Sequence, residues 1–187
     1  MRLYALCDQN SLENRKLSLE AFVSLAKKHK AEIIQYRNKT ADLETIKKKL
    51  IEIREHWDGF LIINDKYTLA SFCDGVHMGQ EDLLTLDPNI EEAIKTIRTI
   101  IGSDKLLGIS THNLQEIELA NKMDLNYIGL GAFKQTSTKD VTNILGDELD
   151  ALAAFSHHKV AAIGGVRLND SFKNVAYLVI GTGLYES

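Results

Sequence analysis

The sequence contains little cysteine and almost no proline: two cysteines and one proline occur among its 187 residues. Cys7 and Cys73 lie in apolar surroundings and form no C-x-x-C motif. Two cysteines without this motif indicate neither a disulfide-rich scaffold nor a cysteine zinc site. We therefore expect two buried free thiols and a reducing compartment, the cytoplasm.

The sequence also lacks a long apolar run and a positive net charge. No segment approaches the about 20 consecutive apolar residues of a membrane helix, and the N-terminal MRLYALCDQN has no signal-peptide pattern. The formal net charge is −4, whereas proteins that bind nucleic acids present basic faces. We expect neither a membrane nor a nucleic acid as a partner.

Short apolar runs alternate with longer amphipathic stretches along the whole chain. Eight of these runs are strand candidates, and most are continuously apolar, which is typical of parallel strands buried on both faces. They are Arg2–Cys7, Glu32–Tyr36, Phe60–Asn64, Gly75–Met78, Leu106–Ser110, Tyr127–Gly131, Val160–Ile163 and Tyr177–Ile180. Between them, apolar residues at helical spacing, such as Ile90, Ile94, Ile97 and Ile101, predict helices that pack on the sheet.

Eight strand–helix units predict an α/β fold, a single-domain (β/α)8 TIM barrel that spans residues 1–187. An open, doubly wound parallel sheet is the alternative. Asp87 before Pro88 predicts the start of one crossover helix, and Gly102 predicts its end. No final C-terminal helix is expected after the eighth strand candidate, so the prediction is eight strands with seven covering helices. A homodimer could cover the barrel wall left open there.

Polar residues and glycines cluster directly after the strand candidates. Active sites of TIM barrels lie at the carboxyl ends of the strands, so these residues are expected to converge on one mouth. In chain order they are Gln35, Arg37, Lys39, Asn64, Asp65, Gln80, Asp82, Ser110, Thr136, Thr138, Lys139, Gly164, Gly165, Gly181, Thr182 and Gly183.

The chemistry of these residues suits phosphorylated ligands. Arg37, Lys39 and Lys139 can neutralise phosphate oxygens, and Asp65 and Asp82 can bind a hard cation such as Mg2+. The glycine loops after the last two strands can present backbone N–H groups to an anion. We therefore expect a site for phosphorylated small molecules at the mouth of the barrel.

Taken one at a time, the same motifs have structural explanations. The polar residues of the run QYRNK could form surface salt bridges, Asn64 and Asp65 could cap a helix, and Gly164–Gly165 could form a simple turn. His77, inside a strand candidate, is interpreted as a packed core residue. The functional interpretation depends on several sets of residues that occur at the expected strand ends in order.

Eight blocks of sequence between Leu3 and Tyr185 share a pattern with a known enzyme family. They read LYALCD, IIQYRNK, LIINDKYTLA, DGVHMGQEDL, LGISTHN, YIGLGAFKQTSTK, AIGG and VIGTGLY. In these blocks the chain resembles the thiamine phosphate synthase/TenI family, and the resemblance extends over essentially the whole chain.

The resemblance implies an activity and a cofactor. Synthases of this family join hydroxymethylpyrimidine diphosphate to hydroxyethylthiazole phosphate, or to carboxythiazole phosphate, and release thiamine phosphate and diphosphate. The family mechanism implies that diphosphate leaves first and that the thiazole nitrogen then captures a pyrimidine carbocation. Mg2+ is the implied cofactor, because a divalent cation stabilises the charge on the leaving diphosphate.

The resemblance also implies roles for the residues at the mouth. The residues that would contact the pyrimidine diphosphate are Gln35, Arg37, Lys39, Asn64, Ser110 and Lys139. Among these, the implied catalytic residues are Arg37, Lys39, Ser110 and Lys139. Asp65 and Asp82 would be the Mg2+ ligands. The residues that would hold the thiazole phosphate are Thr136, Thr138, Gly165, Gly181, Thr182 and Gly183.

Two other functions are alternatives. TenI-like thiazole tautomerases often carry a histidine where this chain has Ala132, and they tend to lose the metal aspartates. A non-catalytic homologue that binds phosphorylated ligands would not need Asp65, Asp82 and Lys139 together, because simple binding requires no metal-assisted leaving group. The chain departs from the synthase pattern where Ala132 and Gln135 replace two prolines, and in the GTG loop after the last strand.

Overall fold

The structure is a computed structural model and describes residues 1–135 and 143–186. Its eight parallel strands pair in chain order and close into a barrel, because the last strand also pairs with the first. The strands are β1 (Arg2–Asp8), β2 (Ile33–Arg37), β3 (Phe60–Asn64), β4 (Gly75–Met78), β5 (Leu106–Thr111), β6 (Tyr127–Leu130), β7 (Lys159–Ala162) and β8 (Tyr177–Ile180). The predicted barrel is confirmed and the open-sheet alternative is wrong.

Helices cover most of the barrel wall, but not every crossover. The α-helices are α1 (Gln9–Arg15), α2 (Leu19–Lys28), α3 (Leu43–His56), α4 (Gln80–Leu86), α5 (Ile90–Ile101), α6 (Leu114–Ala120) and α7 (Glu148–Ala153). A 3-10 helix, Tyr67–Phe72, connects β3 to β4, and another, Thr182–Glu186, follows β8 in place of an α-helix. Residues 163–176, between β7 and β8, contain no helix. The predicted covering α-helix is therefore absent from two crossovers: the one between β3 and β4, which has only the 3-10 helix, and the one between β7 and β8.

Two apolar cores, one on each side of the strands, hold the barrel together. On β2, Ile33 belongs to the core inside the barrel, whereas Ile34 belongs to the core between strands and helices, together with Phe22 of α2. Successive strand residues point to opposite faces, so burial of both faces explains the continuous apolar runs in the sequence. Cys7 and Cys73 are buried as free thiols, as expected.

The ends of helix α5 show which of its predicted capping residues are correct. Asn89, not Asp87, caps the start of α5, and its side chain accepts a hydrogen bond from the first turn. Asp87 instead ends α4, and its Oδ1 accepts a hydrogen bond from the backbone N–H of Asn89 at 2.7 Å. Gly102 ends α5 as predicted, with a φ of 84°. No helix within the described ranges is long and apolar enough to cross a membrane.

Candidate active site

Two carboxylates approach the same glycine at the mouth of the barrel. Asp65 follows β3 directly, and its φ of 62° is unusual for a residue other than glycine. Asp82 lies in the first turn of α4, which Gly79 precedes. The Oδ1 of Asp65 accepts a hydrogen bond from the Gly79 N–H at 2.9 Å. A Cβ added to Gly79 would lie 3.5 Å from Asp65 Oδ1 and from Asp82 Oδ2, so the two predicted metal ligands share one small space.

A lysine balances part of the negative charge in this space. Partial burial and the neighbouring Asp65 raise the pKa of Asp82, and Lys39 opposes that shift. The Nζ of Lys39 lies 3.8 Å from Asp65 Oδ2 and 4.0 Å from Asp82 Oδ2. Two carboxylates that repel each other and attract one shared cation form an arrangement that also suits a hard divalent ion.

The two carboxylates alone do not form a complete metal cage. Within residues 1–135 and 143–186, no three His, Cys, Asp or Glu side chains cluster closely enough to hold an ion. Mg2+ is commonly bound by one or two carboxylates, while waters and substrate phosphate oxygens complete its octahedral shell. Asp65 and Asp82 fit a site of that kind, in which the substrate supplies part of the shell.

Arg37, at the end of β2, is held by an aspartate that the sequence analysis missed. Asp8 ends β1 and is the direct partner of Arg37 in the strand register. The Arg37 Nη1 and the Asp8 Oδ2 form an ion pair. The Oδ1 of Asp8 accepts hydrogen bonds from the backbone N–H and the hydroxyl of Ser11, at 3.0 and 2.9 Å, and so caps α1. The guanidinium keeps further N–H groups with which it can bind an anion.

Gln35 and Asn64 meet inside the barrel, close to the carboxylates. Gln35 accepts a hydrogen bond from the Tyr4 hydroxyl at 2.7 Å and donates one to Asn64 Oδ1 at 2.6 Å. Asn64 in turn donates to Asp65 Oδ2. The structure therefore brings two predicted substrate-binding residues together and links them to a predicted metal ligand.

Ser110, near the end of β5, lies beside His77. The Ser110 hydroxyl is 3.1 Å from His77 Nε2, and the Ser110 carbonyl accepts a hydrogen bond from Gln80 Nε2 at 2.5 Å. The Nδ1 of His77 is 3.0 Å from the Tyr127 hydroxyl. His77 is buried, as the sequence indicates, but its ring also contacts a predicted site residue. The sequence analysis did not predict the polar role of Tyr4 and Tyr127. A tyrosine in an apolar run indicates a β-strand but does not show what its hydroxyl contacts.

The predicted monophosphate side consists of the loops after β7 and β8. Gly165 has a φ of 67°, and a Cβ there would lie 2.8 Å from the carbonyl oxygen of Gln135, so this position requires glycine. Residues Gly181–Gly183 are half-buried and lead into the 3-10 helix after β8. A Cβ on Gly183 would lie 3.7 Å from the carbonyl oxygen of Val166. The two glycine loops are therefore neighbours at the mouth.

Three predicted site residues, Thr136, Thr138 and Lys139, lie outside the described residues. Their roles stay predictions. The chain that leads to them from β6 is joined to the loop after β7, because the Lys134 N–H donates to the Gly164 carbonyl at 2.8 Å. The loop after β6 therefore starts beside the predicted monophosphate side.

Relatives of known family match this chain over most of its length. A family model described as thiamine monophosphate synthase matches residues 3–179. A thiamine-phosphate synthase of Methanobrevibacter smithii is 33% identical over 172 residues, which cover 89% of this chain and 77% of that protein. A thiamine-phosphate synthase of Prochlorococcus marinus is 37% identical over 161 residues, which cover 82% of this chain and 44% of that protein.

A solved structure has the same fold. The thiamine phosphate pyrophosphorylase from Pyrococcus furiosus aligns with a TM-score of 0.77 and 22% sequence identity, over 97% of this chain and 85% of that chain. At this identity the likeness concerns the fold, and the family follows from the sequence matches. Because the family match includes every strand of the barrel in whole or in large part, this chain belongs to the thiamine monophosphate synthase family.

Proposed function

We propose that this chain is a thiamine phosphate synthase. It would join hydroxymethylpyrimidine diphosphate to hydroxyethylthiazole phosphate, or to carboxythiazole phosphate, and release thiamine phosphate and diphosphate. The observation that carries the proposal is the space shared by Asp65 and Asp82 beside Lys39, which is linked through Asn64 to the barrel interior. Such a site combines a place for a charged leaving group with a polar interior for a ring.

The diphosphate side of the site has two cationic side chains beside the carboxylate pair and the end of β2. Lys39 is half exposed at the carboxylate pair, and Arg37 is held by Asp8 at the neighbouring strand end. With Lys139, these residues would stabilise the charge that develops on the departing diphosphate. No protein nucleophile is required, because the bond to diphosphate breaks before the thiazole nitrogen attacks.

Polar side chains of the barrel would orient the pyrimidine. Gln35 and Ser110 would face the ring, and Asn64 would face the diphosphate. Mg2+, held by Asp65 and Asp82, is the proposed cofactor and would supply positive charge to the leaving group. These three orienting residues and Asp65 lie in one connected network of hydrogen bonds, and Asp82 lies beside Asp65 across Gly79.

The glycine loops would hold the second substrate next to the first. Gly165 and the segment Gly181–Gly183, including Thr182, would bind the thiazole phosphate, together with Thr136 and Thr138. Holding both substrates in one mouth supplies the orientation that a short-lived cation requires. A single domain over residues 1–187, a homodimer and a cytoplasmic location all stay predictions.

The activity is tested with purified protein, Mg2+ and both substrates. We expect thiamine phosphate and diphosphate to appear in equal amounts, measured by chromatography. Binding of thiazole phosphate in calorimetry without any product would refute the synthase and favour a non-catalytic homologue. Conversion of a carboxythiazole phosphate tautomer, again without thiamine phosphate, would favour a TenI-like tautomerase.

Single substitutions test the metal ligands. Asp65→Asn and Asp82→Asn each remove one negative charge and are expected to lower Mg2+-dependent turnover by about 100-fold or more. Glu81→Gln is the matched control, because Glu81 is an exposed carboxylate adjacent to Asp82 on the same helix. Full activity in both aspartate variants would contradict the metal assignment.

A further inference from the structure

A line of hydrogen bonds crosses the barrel interior from the end of β5 to the end of β3. Tyr4 and Tyr127 lie in its middle and are 1% and 4% exposed. Buried polar groups in folded proteins have hydrogen-bond partners, so the donor and acceptor roles along this line restrict one another. The line joins, in order, Ser110, His77, Tyr127, Tyr4, Gln35, Asn64 and Asp65.

The direction of donation is fixed at the Asp65 end. An amide NH2 group only donates hydrogen bonds, and that of Asn64 donates to Asp65 Oδ2. The Oδ1 of Asn64 then accepts from Gln35 Nε2 at 2.6 Å, and the Oε1 of Gln35 accepts from the Tyr4 hydroxyl at 2.7 Å. Tyr4 has a single hydroxyl proton, and the bond to Gln35 uses it.

The donor and acceptor roles in the second half of the line follow from those in the first half. The hydroxyl oxygens of Tyr4 and Tyr127 are 2.9 Å apart, and Tyr127 must donate because the proton of Tyr4 is already used. The Tyr127 oxygen then accepts from His77 Nδ1, 3.0 Å away. In a neutral imidazole the other nitrogen is an acceptor, so His77 Nε2 receives the hydroxyl proton of Ser110 at 3.1 Å.

We propose that Tyr127 is a positioning residue, which selects the Nδ1–H tautomer of His77 and thereby leaves the Ser110 hydroxyl as an acceptor for a ligand N–H group. The link to substrate rests on the proposed function, in which Ser110 faces a pyrimidine. The exocyclic amino group of an aminopyrimidine is a suitable donor. An oxo group at the same ring position would face the lone pairs of Ser110 and be disfavoured.

Packing holds the Tyr127 ring in the position that this role requires. The ring stacks on His77 with centroids 5.5 Å apart, and it packs edge-on against Tyr4 at 5.9 Å. Gly108 of β5 makes room for it, because a Cβ on Gly108 would lie 2.2 Å from the Tyr127 ring. Burial raises the pKa of Tyr127, so its hydroxyl keeps its proton at neutral pH.

The tautomer is observed directly by nitrogen NMR on protein with 15N-labelled histidine, with the His77 resonances assigned from a His77→Asn variant. We expect protonated Nδ1 and unprotonated Nε2 in the wild type, and loss of that preference in Tyr127→Phe. Tyr177→Phe is the matched control. Tyr177 also packs edge-on against Tyr4, at 6.3 Å, but its hydroxyl contacts Glu32 at 3.5 Å, so the wild-type pattern should persist.

Steady-state kinetics give a second measurement. In Tyr127→Phe we expect the KM for the pyrimidine diphosphate to rise about 5- to 10-fold, as for the loss of one hydrogen bond, while the KM for the thiazole phosphate is unchanged. Tyr177→Phe should change neither value. If Tyr127→Phe only damaged the structure of the barrel, the KM values for both substrates would rise together.

Three results would overturn the proposal: an Nε2–H ring or an imidazolium at His77 in the wild type, the same tautomer in Tyr127→Phe, or equal KM changes for both substrates. The proposed function fails differently. Absence of turnover in the wild type, with the Nδ1–H tautomer present there and lost in Tyr127→Phe, would refute the synthase and support the positioning role of Tyr127.

Discussion

Asp8→Ala is expected to destabilise the barrel more than the loss of a helix cap alone. Asp8 is buried, caps α1 through Ser11 and pairs with Arg37. Loss of a cap costs about 1 kcal/mol. Breaking a buried ion pair costs about 3–5 kcal/mol. The Arg37 side chain is 19% exposed, so water partly solvates the charge left behind and we expect the lost ion pair to cost only about 2 kcal/mol. Together with the lost cap, the free energy of unfolding should fall by about 3 kcal/mol.

The loss is measured by equilibrium urea unfolding. Trp57 is the single tryptophan and is 4% exposed, so its fluorescence reports the unfolding of the barrel. Circular dichroism of the helices checks that both probes follow one transition. With a slope of about 3 kcal/mol per molar urea, a loss of about 3 kcal/mol lowers the midpoint by about 1 M.

Ser18→Ala is the matched control for the cap. The Ser18 hydroxyl accepts a hydrogen bond from the Ala21 N–H at 3.1 Å and caps α2, and its loss should lower the midpoint by about 0.3 M. Asp8→Asn retains an oxygen for the cap of α1 but no charge for Arg37, so its midpoint should fall between the two. Equal midpoints for Asp8→Ala and Ser18→Ala would refute the reasoning, because the ion pair would then contribute nothing.

Three further predictions concern other groups. Burial raises the pKa of Asp82, so Asp82→Asn should raise the Tm at pH 7 without divalent cations. That gain should disappear as the pH falls through the raised pKa. Burial also acts to raise the pKa of Glu116, but hydrogen bonds from His112 lower it overall, so Glu116→Gln should lower the Tm at pH 7. That loss should shrink as the pH falls through the lowered pKa, and thermal unfolding across pH checks both signs. Gly108→Ala forces the Tyr127 ring to move and should cost about 1–3 kcal/mol in urea unfolding; an unchanged midpoint would contradict this packing.

The strands could be predicted closely, because a closed parallel barrel buries both faces of every strand. Each predicted strand agrees with the observed one to within one residue at either end. The crossovers were harder to predict. Between β7 and β8, Gly164 and Gly165 both adopt a positive φ. The residues that follow form no helix, although Leu168, Phe172 and Val175 occur at helical spacing, so the sequence pattern alone is misleading at this crossover.

The residues at the rim of the site could be predicted, but the hydrogen bonds that connect its interior could not. Lys39, Asp65 and Asp82 follow strands, and the barrel brings all strand ends together. The contact of Tyr4 with Tyr127 joins residues 123 positions apart in the chain. This contact depends on the stagger between strands on opposite sides of the barrel, and no local sequence pattern predicts that stagger.

The pairing of β1 with β8 determines when the barrel can become complete during synthesis. Arg2 pairs with Tyr177 and Ala5 with Ile180, so this seam closes the longest loop in the sheet and has a large entropic cost. On the ribosome, β1 to β7 emerge first, and the edges of β1 and β7 stay unpaired until β8 is released. A nascent chain with two open sheet edges is prone to wrong pairing, so we expect strand mispairing to compete with folding until this seam closes.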